Sequence, residues 1–79
     1  MKIKLTKFGS IVYDCIKDIQ LPVVVEGHIG IEDLGTLPMA YVKLSEFGVS
    51  PQTAYELNDT SRPDDEYLVF LSNEFEVLE

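Results

Sequence analysis

The stretch YLVFLSNEFEVL, from Tyr67 to Leu78, decides the fold class of this chain. Its aromatic and β-branched residues are typical of strands, and the Ser72-Asn73 pair between them is typical of a turn. The stretch therefore predicts two strands, Tyr67 to Leu71 and Glu74 to Leu78, joined as a hairpin. Sequential strands of this kind belong to an antiparallel sheet.

A helix is the alternative for the same stretch. Thr60 or Ser61, followed by Pro63 and three acids at 64–66, resembles the start of a helix. Apolar residues also recur at the spacing of a helical face, at Tyr67, Phe70, Leu71, Phe75 and Leu78. We favour strands because of the aromatic and branched residues, and the helix remains the open alternative.

Two further elements are predicted near the N-terminus. MKIKL, from Met1 to Leu5, alternates apolar and charged residues, which predicts a half-buried strand. The period then becomes helical, and an amphipathic helix is predicted from Phe8 to Ile19. Its apolar face consists of Phe8, Ile11, Val12, Cys15, Ile16 and Ile19.

The middle of the chain is predicted to contain one strand and then loops. Three valines at 23–25 favour a strand that begins at or near Pro22. Gly27, Gly30 and Gly35 indicate a loop-rich segment after it. Together the elements predict a small α+β fold, with a mostly antiparallel sheet of three to five strands and one or two helices, in a single compact domain over residues 1–79.

Length and composition limit what such a domain is. With 79 residues, 46% of them hydrophobic and 25% charged, the chain has the composition of a folded protein with one small core. A core of this size supplies only about 3–5 kcal/mol of stability. Cys15 is the single cysteine and forms no internal disulfide, so a homodimer or a bound partner is a further source of stability.

Compartment follows from what the sequence lacks. It shows no basic and then apolar leader, and its longest apolar run, Tyr67 to Leu71, is far shorter than the roughly 20 residues of a membrane span. A single cysteine is typical of a reducing environment. We therefore expect a cytoplasmic protein that does not bind membranes.

Charge is distributed unevenly along the chain. Residues 1–17 contain four lysines against Asp14, a net charge of +3, whereas residues 18–79 contain two basic residues against thirteen acids, a net charge of −11. From Glu56 onward Arg62 stands alone against eight acids, a net charge of −7. The negative field is therefore predicted to be strongest in the C-terminal part.

This acidity predicts the kind of partner. Ordered carboxylates steer association with a basic protein surface, including a groove that otherwise holds nucleic acid. In size and charge the chain resembles small phage-type inhibitors that bind defence or polymerase proteins by charge mimicry, which implies a small protein-interaction module; a host and a viral or mobile-element origin both stay open. The predicted partner-binding residues are Glu56, Asp59, Asp64, Asp65, Glu66, Glu74 and Glu76.

A second pattern lies between Pro38 and Asn58. Pro38 opens a predicted helix with Tyr41, Leu44 and Phe47 inward, Gly48 makes a turn, and Ser50 caps a second helix that begins at Pro51. The pattern resembles the helix-turn-helix of small phage excisionases and related regulators. The resemblance implies packing by Leu44, Gly48, Val49, Ala54 and Leu57, and an outward face of Ser50, Gln52, Thr53 and Glu56.

The charge of this segment argues against DNA reading. Affinity for duplex DNA comes largely from lysine and arginine that neutralise phosphates. Between Pro38 and Thr60 the only basic residue is Lys43, set against Glu46, Glu56 and Asp59. We therefore expect direct nucleic-acid binding to be unfavourable, and a helix-turn-helix regulator is the alternative function.

Catalytic and metal-binding signatures are weak throughout. His28 is the sole histidine and lies near Glu26, but one imidazole without a second histidine or cysteine is a poor zinc set. Cys15 lies on an apolar stripe, and Asp64, Asp65 and Glu66 are typical of solvated turn acids. We expect no enzyme, no cofactor and no metal. Tyr41, Phe47, Tyr55 and Tyr67 are either core residues or aromatic anchors of an interface.

Overall fold

The computed structural model of the protein describes residues 1–9, 13–31 and 38–78. Within these residues five strands form one antiparallel sheet in the order β4-β3-β2-β1-β5, with one short α-helix and two 3-10 helices. The antiparallel sheet is thereby confirmed, and the architecture fits a small α+β or mostly-β domain. The strands are β1 (Lys2–Leu5), β2 (Val23–Ile31), β3 (Pro38–Lys43), β4 (Tyr67–Phe70) and β5 (Phe75–Val77). The helices are the 3-10 helices Asp14–Ile16 and Leu44–Phe47, and α1 (Pro51–Glu56).

The long strand β2 changes partner half-way along. Residues 23–26 pair with β1 and residues 27–31 pair with β3. Gly27 lies at the change, where a Cβ atom would stand 2.7 Å from the Tyr41 carbonyl oxygen and 2.9 Å from Ile3 Cδ1. Glycine is required here because two neighbouring strands crowd the backbone from both sides.

The sheet curls so that its two edges approach each other. In a flat five-stranded sheet the edge strands would lie about 19 Å apart, since neighbouring strands are about 4.8 Å apart. Here only residues 71–74 connect the edge strands β4 and β5, and the Glu74 N–H donates to the Leu71 carbonyl at 2.9 Å. A turn of this kind brings its end residues within about 7 Å of each other.

Strand alternation places the core inside the curl. Each strand presents every second residue inward, as in β3, where Ala40 and Val42 are fully buried. The remaining buried apolar residues include Ile16, Leu44 and Ala54 from the helices. The core consists of Ile3, Leu5, Ile16, Val25, Ala40, Val42, Leu44, Ala54, Leu68, Phe70 and Phe75.

The predicted helix from Phe8 to Ile19 is wrong for the residues that the structure describes. Phe8 and Gly9 are irregular, and only Asp14–Ile16 forms a single 3-10 turn, while residues 10–12 lie outside the described part. Ile16 is buried and Phe8, Cys15 and Ile19 pack against the core. The described part of the apolar stripe therefore consists of irregular chain and one 3-10 turn that pack on the sheet.

The predicted loops after Val25 are also wrong as far as the structure describes them. Strand β2 continues through Gly27 and Gly30 to Ile31, and Gly35 lies outside the described residues. At Gly30 a Cβ atom would stand 2.7 Å from the Tyr41 ring. Glycine at positions 27 and 30 permits other groups to pack closely against the strand, and the chain does not turn at either position.

The stretch from Tyr67 to Leu78 forms strands, so the helix alternative is wrong. Residues 71–74 form the expected turn. The two strands do not pair with each other as a hairpin, because β4 pairs with β3 and β5 pairs with β1. The sequence pattern predicts the strands and the turn, whereas the partners are chosen by the curl of the sheet.

The segment from Pro38 to Asn58 contains only the second half of the predicted helix-turn-helix. Pro38–Lys43 is a strand in the interior of the sheet, so the first helix is wrong. Gly48 has a left-handed φ of 71°, as the turn requires. The Ser50 hydroxyl accepts from the Thr53 N–H at 3.2 Å, and Pro51 begins α1, so the second helix is confirmed.

Candidate functional site

Asp59, one of the seven predicted partner-binding acids, is engaged within the fold. Its carboxylate oxygens accept hydrogen bonds from the backbone N–H groups of Asp14, at 2.7 Å, and Cys15, at 2.8 Å. These N–H groups lie at the start of the 3-10 helix Asp14–Ile16, where no carbonyl within the helix accepts from them. Asp59 therefore ties the segment after α1 to the N-terminal part of the chain.

Glu74, a second member of that set, is buried. Its side chain is only 4% exposed, and its carboxylate accepts from the backbone N–H of Gly9 and from that of Leu71, at 2.7 Å. A buried carboxylate is tolerated where charge-assisted hydrogen bonds replace water. Glu74 holds the 71–74 turn against the segment that follows β1.

The other five acids of the set keep their side chains at least partly in solvent. Glu56, Asp64, Glu66 and Glu76 are exposed and Asp65 is half-buried. Asp64 forms a salt bridge of 3.1 Å with Arg62, and both side chains are 70% exposed, so the pair is weak. Glu76 lies across from Lys4 on the neighbouring strand. The acids at 56–66, which we call the acidic segment, thus lie apart in the chain from Glu76.

The backbone of the acidic segment is fixed at several points. The Asp59 N–H donates to the Ala54 carbonyl at 2.9 Å, and the Asp65 N–H donates to the Arg62 carbonyl at 3.2 Å. At its end the Glu66 carbonyl accepts from the Leu44 N–H at 2.8 Å. Together with the Asp59 carboxylate, these bonds fix the backbone that carries the exposed acids.

A cleft lies on the outer face of the sheet where β2, β3 and β4 meet. His28 and Tyr41 are cross-strand partners, and their rings stack with centroids 5.2 Å apart and planes at 10°. The Tyr67 ring stands at 79° to His28 with centroids 5.4 Å apart. His28 is exposed and Tyr67 is 38% exposed. The three rings form the aromatic side of a cavity of about 210 Å³.

Carboxylates line the opposite part of this cleft. Glu46, from the 3-10 helix Leu44–Phe47, accepts from the Glu26 N–H at 2.9 Å with one oxygen. One oxygen of Glu26 lies 3.3 Å from the Met1 amine. No hydrogen bond or ion pair within residues 1–9, 13–31 and 38–78 involves the second oxygen of either glutamate. Lys43 is the cationic side chain of the lining and forms no salt bridge with any acid in the described part of the chain.

Sequence reasoning reached this cleft only in part. Tyr41 and Tyr67 were expected as either core or interface anchors, and both face the cleft. His28 was considered for a metal site with Glu26, and its described contacts are instead two tyrosine rings. The missing signal was the register, which places residues 28, 41 and 67 together although they come from three strands.

The thiol and the buried phenol are unsuited to nucleophilic chemistry. Burial and the adjacent Asp59 carboxylate raise the pKa of the Cys15 thiol to about 12. Burial likewise raises the pKa of Tyr13, against the opposing effect of its hydrogen bond with the Val69 backbone. A reactive cysteine needs a lowered pKa and an electropositive setting, and Cys15 has the reverse.

The described residues contain neither a metal-binding cluster nor a helix suited to cross a membrane. No group of three or more His, Cys, Asp or Glu residues in that part of the chain is arranged to hold a metal ion. Residues 1–9, 13–31 and 38–78 also include no helix with the length and apolar character of a membrane span. Comparison of the chain with protein-family models, with curated proteins and with solved structures gives no significant match.

Proposed function

We propose that this protein is a small interaction domain that binds a basic protein surface through the exposed carboxylates of the acidic segment, in the manner of a nucleic-acid mimic. Its binding residues are Glu56, Asp64, Asp65 and Glu66. Asp59 and Glu74 support the fold, and Glu76 lies on β5, outside the binding segment.

The observation that carries the proposal is that hydrogen bonds join the acidic segment to the rest of the fold at both of its ends. The Asp59 carboxylate holds its first part, and the bond from the Leu44 N–H to the Glu66 carbonyl holds its end. Carboxylates on an ordered backbone lose less conformational freedom on binding than carboxylates on a disordered chain. Their summed field also accelerates encounter with a cationic partner and repels nucleic acid.

A direct test measures binding of a ten-residue oligolysine by fluorescence anisotropy at several salt concentrations. The charge-reversed variant Asp64→Lys/Glu66→Lys is compared with Asp18→Lys/Glu76→Lys, which changes the net charge equally at exposed acids outside the segment. We expect the first variant to lose at least about tenfold more affinity than the second. Equal losses would contradict a localised binding surface.

A second test addresses mimicry of nucleic acid. The protein is used as bait in an extract of its source cells, and the bound proteins are identified with and without competing duplex DNA. Partners that bind the acidic segment should be nucleic-acid-handling proteins, should be displaced by DNA and should be absent from the Asp64→Lys/Glu66→Lys bait. Retention of the protein itself on duplex DNA at low salt, lost on replacement of Gln52, would favour the DNA-binding regulator instead.

A further inference from the structure

We propose that the cleft formed by His28, Tyr41 and Tyr67 receives an arginine side chain of the partner protein. The inference deepens the proposed function and rests on it, because it names the residue type with which a basic surface is anchored. It is carried by the arrangement of aromatic faces and carboxylate oxygens in one small cavity.

The aromatic part of the cleft is arranged for a planar cation. Tyr41 stacks on His28, and the Tyr67 ring packs against His28 at nearly a right angle. A guanidinium stacks on aromatic rings and is attracted by their negative faces. Because the three rings support one another, this surface exists before the ligand arrives, which lowers the entropic cost of binding.

The carboxylate part of the cleft matches the donors of arginine. Glu26 and Glu46 each have one oxygen engaged, with the Met1 amine and the Glu26 N–H respectively. The second oxygen of each has no partner among the described residues and is placed to accept from a guanidinium, whose N–H groups are arranged as a rigid fork. The Glu26 N–H bond also fixes the Glu46 side chain, so one of the two acceptors is held in place.

The size of the cavity selects a side chain as the occupant. Its volume of about 210 Å³ is smaller than typical small-molecule sites, which occupy about 300–1,000 Å³. The cleft is also continuous along the chain with the acidic segment, because Tyr67 directly follows Glu66. A partner that lies along the acidic segment therefore has a basic side chain within reach of the cleft.

Lys43 provides an internal check on this assignment. It lies directly across from Tyr67 on β3 and lines the cleft with its positive charge. A cationic ligand is repelled by this ammonium group, and an anionic ligand is attracted by it. Removal of the Lys43 charge should therefore tighten arginine binding, a result that an anion site would not give.

The test is a titration of the ¹⁵N-labelled protein with the blocked peptide acetyl-Gly-Arg-Gly-amide, followed by NMR. Amide shifts should concentrate at Gly27, His28 and Tyr67, and the matching glutamine peptide should leave them unchanged. The lysine peptide should bind more weakly than the arginine peptide, because an ammonium group is not planar and cannot stack on a ring or donate two parallel hydrogen bonds to a carboxylate. Equal shifts from the glutamine peptide, or equal binding of the lysine peptide, would overturn the assignment.

Matched variants separate the cleft from general acidity. Tyr67→Leu should weaken arginine-peptide binding about threefold or more, whereas Tyr55→Leu, the same change at an equally exposed tyrosine on α1, should have no effect. Glu46→Gln should weaken binding, Glu76→Gln, at an exposed acid on β5, should not, and Lys43→Gln should tighten it about twofold. The NMR spectrum of each variant checks that it is folded. Equal affinities of the two tyrosine variants for the arginine peptide would contradict the proposal.

The two proposals fail in different ways. Arginine binding that survives in Asp64→Lys/Glu66→Lys but is lost in Tyr67→Leu would support the cleft even if the oligolysine test failed. Oligolysine binding that depends on Asp64 and Glu66, with no peptide-induced shifts at His28, would overturn the cleft and leave the acidic segment as the binding surface.

Discussion

The Tyr13 hydroxyl bonds to both backbone groups of Val69, donating to its carbonyl at 2.7 Å and accepting from its N–H at 3.2 Å. Val69 lies on the edge strand β4, and these two groups point away from β3. One side chain therefore occupies the position of a missing neighbouring strand. Open edges invite pairing with other chains, so this contact protects the sheet as well as stabilising it.

Tyr13→Phe should destabilise the protein and expose this edge. The change removes two hydrogen bonds and leaves the Val69 groups unpaired in a half-buried position, which should lower the free energy of unfolding by about 2 kcal/mol. Urea unfolding measures the loss. Tyr55→Phe, at an exposed hydroxyl on α1, is the control and should change stability by less than about 0.5 kcal/mol.

Glu74→Gln should be far more costly than the same change two residues later. A glutamine amide offers one acceptor where the Glu74 carboxylate satisfies the N–H groups of both Gly9 and Leu71. We expect a loss of about 2–3 kcal/mol from the free energy of unfolding. Glu76→Gln, at an exposed side chain, should change stability by less than about 0.5 kcal/mol. Similar unfolding curves for the two variants would contradict a structural role for Glu74.

Gly27→Ala should destabilise the sheet by overpacking. The new methyl group would collide with the Tyr41 carbonyl oxygen, a backbone atom that moves only with its strand, and the expected loss is about 3 kcal/mol. Gly48→Ala is the comparison, since its Cβ meets open space and its cost of about 1 kcal/mol comes from the positive φ alone. A larger loss at Gly48, measured by thermal unfolding, would contradict the crowding argument.

Cys15 should resist alkylation in the folded protein. With a pKa of about 12, the reactive thiolate is scarce at pH 8, so iodoacetamide should react at least about 100-fold more slowly than with the urea-unfolded chain. The rate should rise about tenfold per pH unit up to pH 11, because the thiolate stays a minor species below the pKa. Asp59→Asn should speed the reaction and Asp18→Asn should not. A rate that levels off near pH 9 would show an ordinary thiol.

Local patterns were reliable where one segment contains all the relevant chemistry. The alternation in Met1 to Leu5 predicts β1, and Ser50 with Pro51 predicts the start of α1, because a strand face and a helix cap are read within a few residues. The apolar stripe from Phe8 to Ile19 predicts a helix that the described residues do not form. Burial against the sheet, and not one face of an α-helix, explains why Ile16, Cys15 and Ile19 are apolar.

The candidate sites divide in the same way. Exposed acids such as Glu66 are visible as charge in the sequence. The structural roles of Asp59 and Glu74 are not visible in the sequence. An acid that accepts from a backbone N–H far along the chain cannot be told from a solvated acid by residue type alone. The cleft of His28, Tyr41 and Tyr67 depends on the pairing of three strands, which no local pattern specifies.

By itself, the sequence determined the small size, the strongly negative charge and the strand character of Met1 to Leu5 and of Tyr67 to Leu78. Those properties follow from residue type and from the alternation of apolar and polar residues over a few positions. Only the tertiary structure decided that β4 and β5 lie at opposite edges of the sheet and that the acids divide into structural and exposed groups. These outcomes depend on contacts between distant residues, whose partners are selected by the closure of the whole sheet around its core.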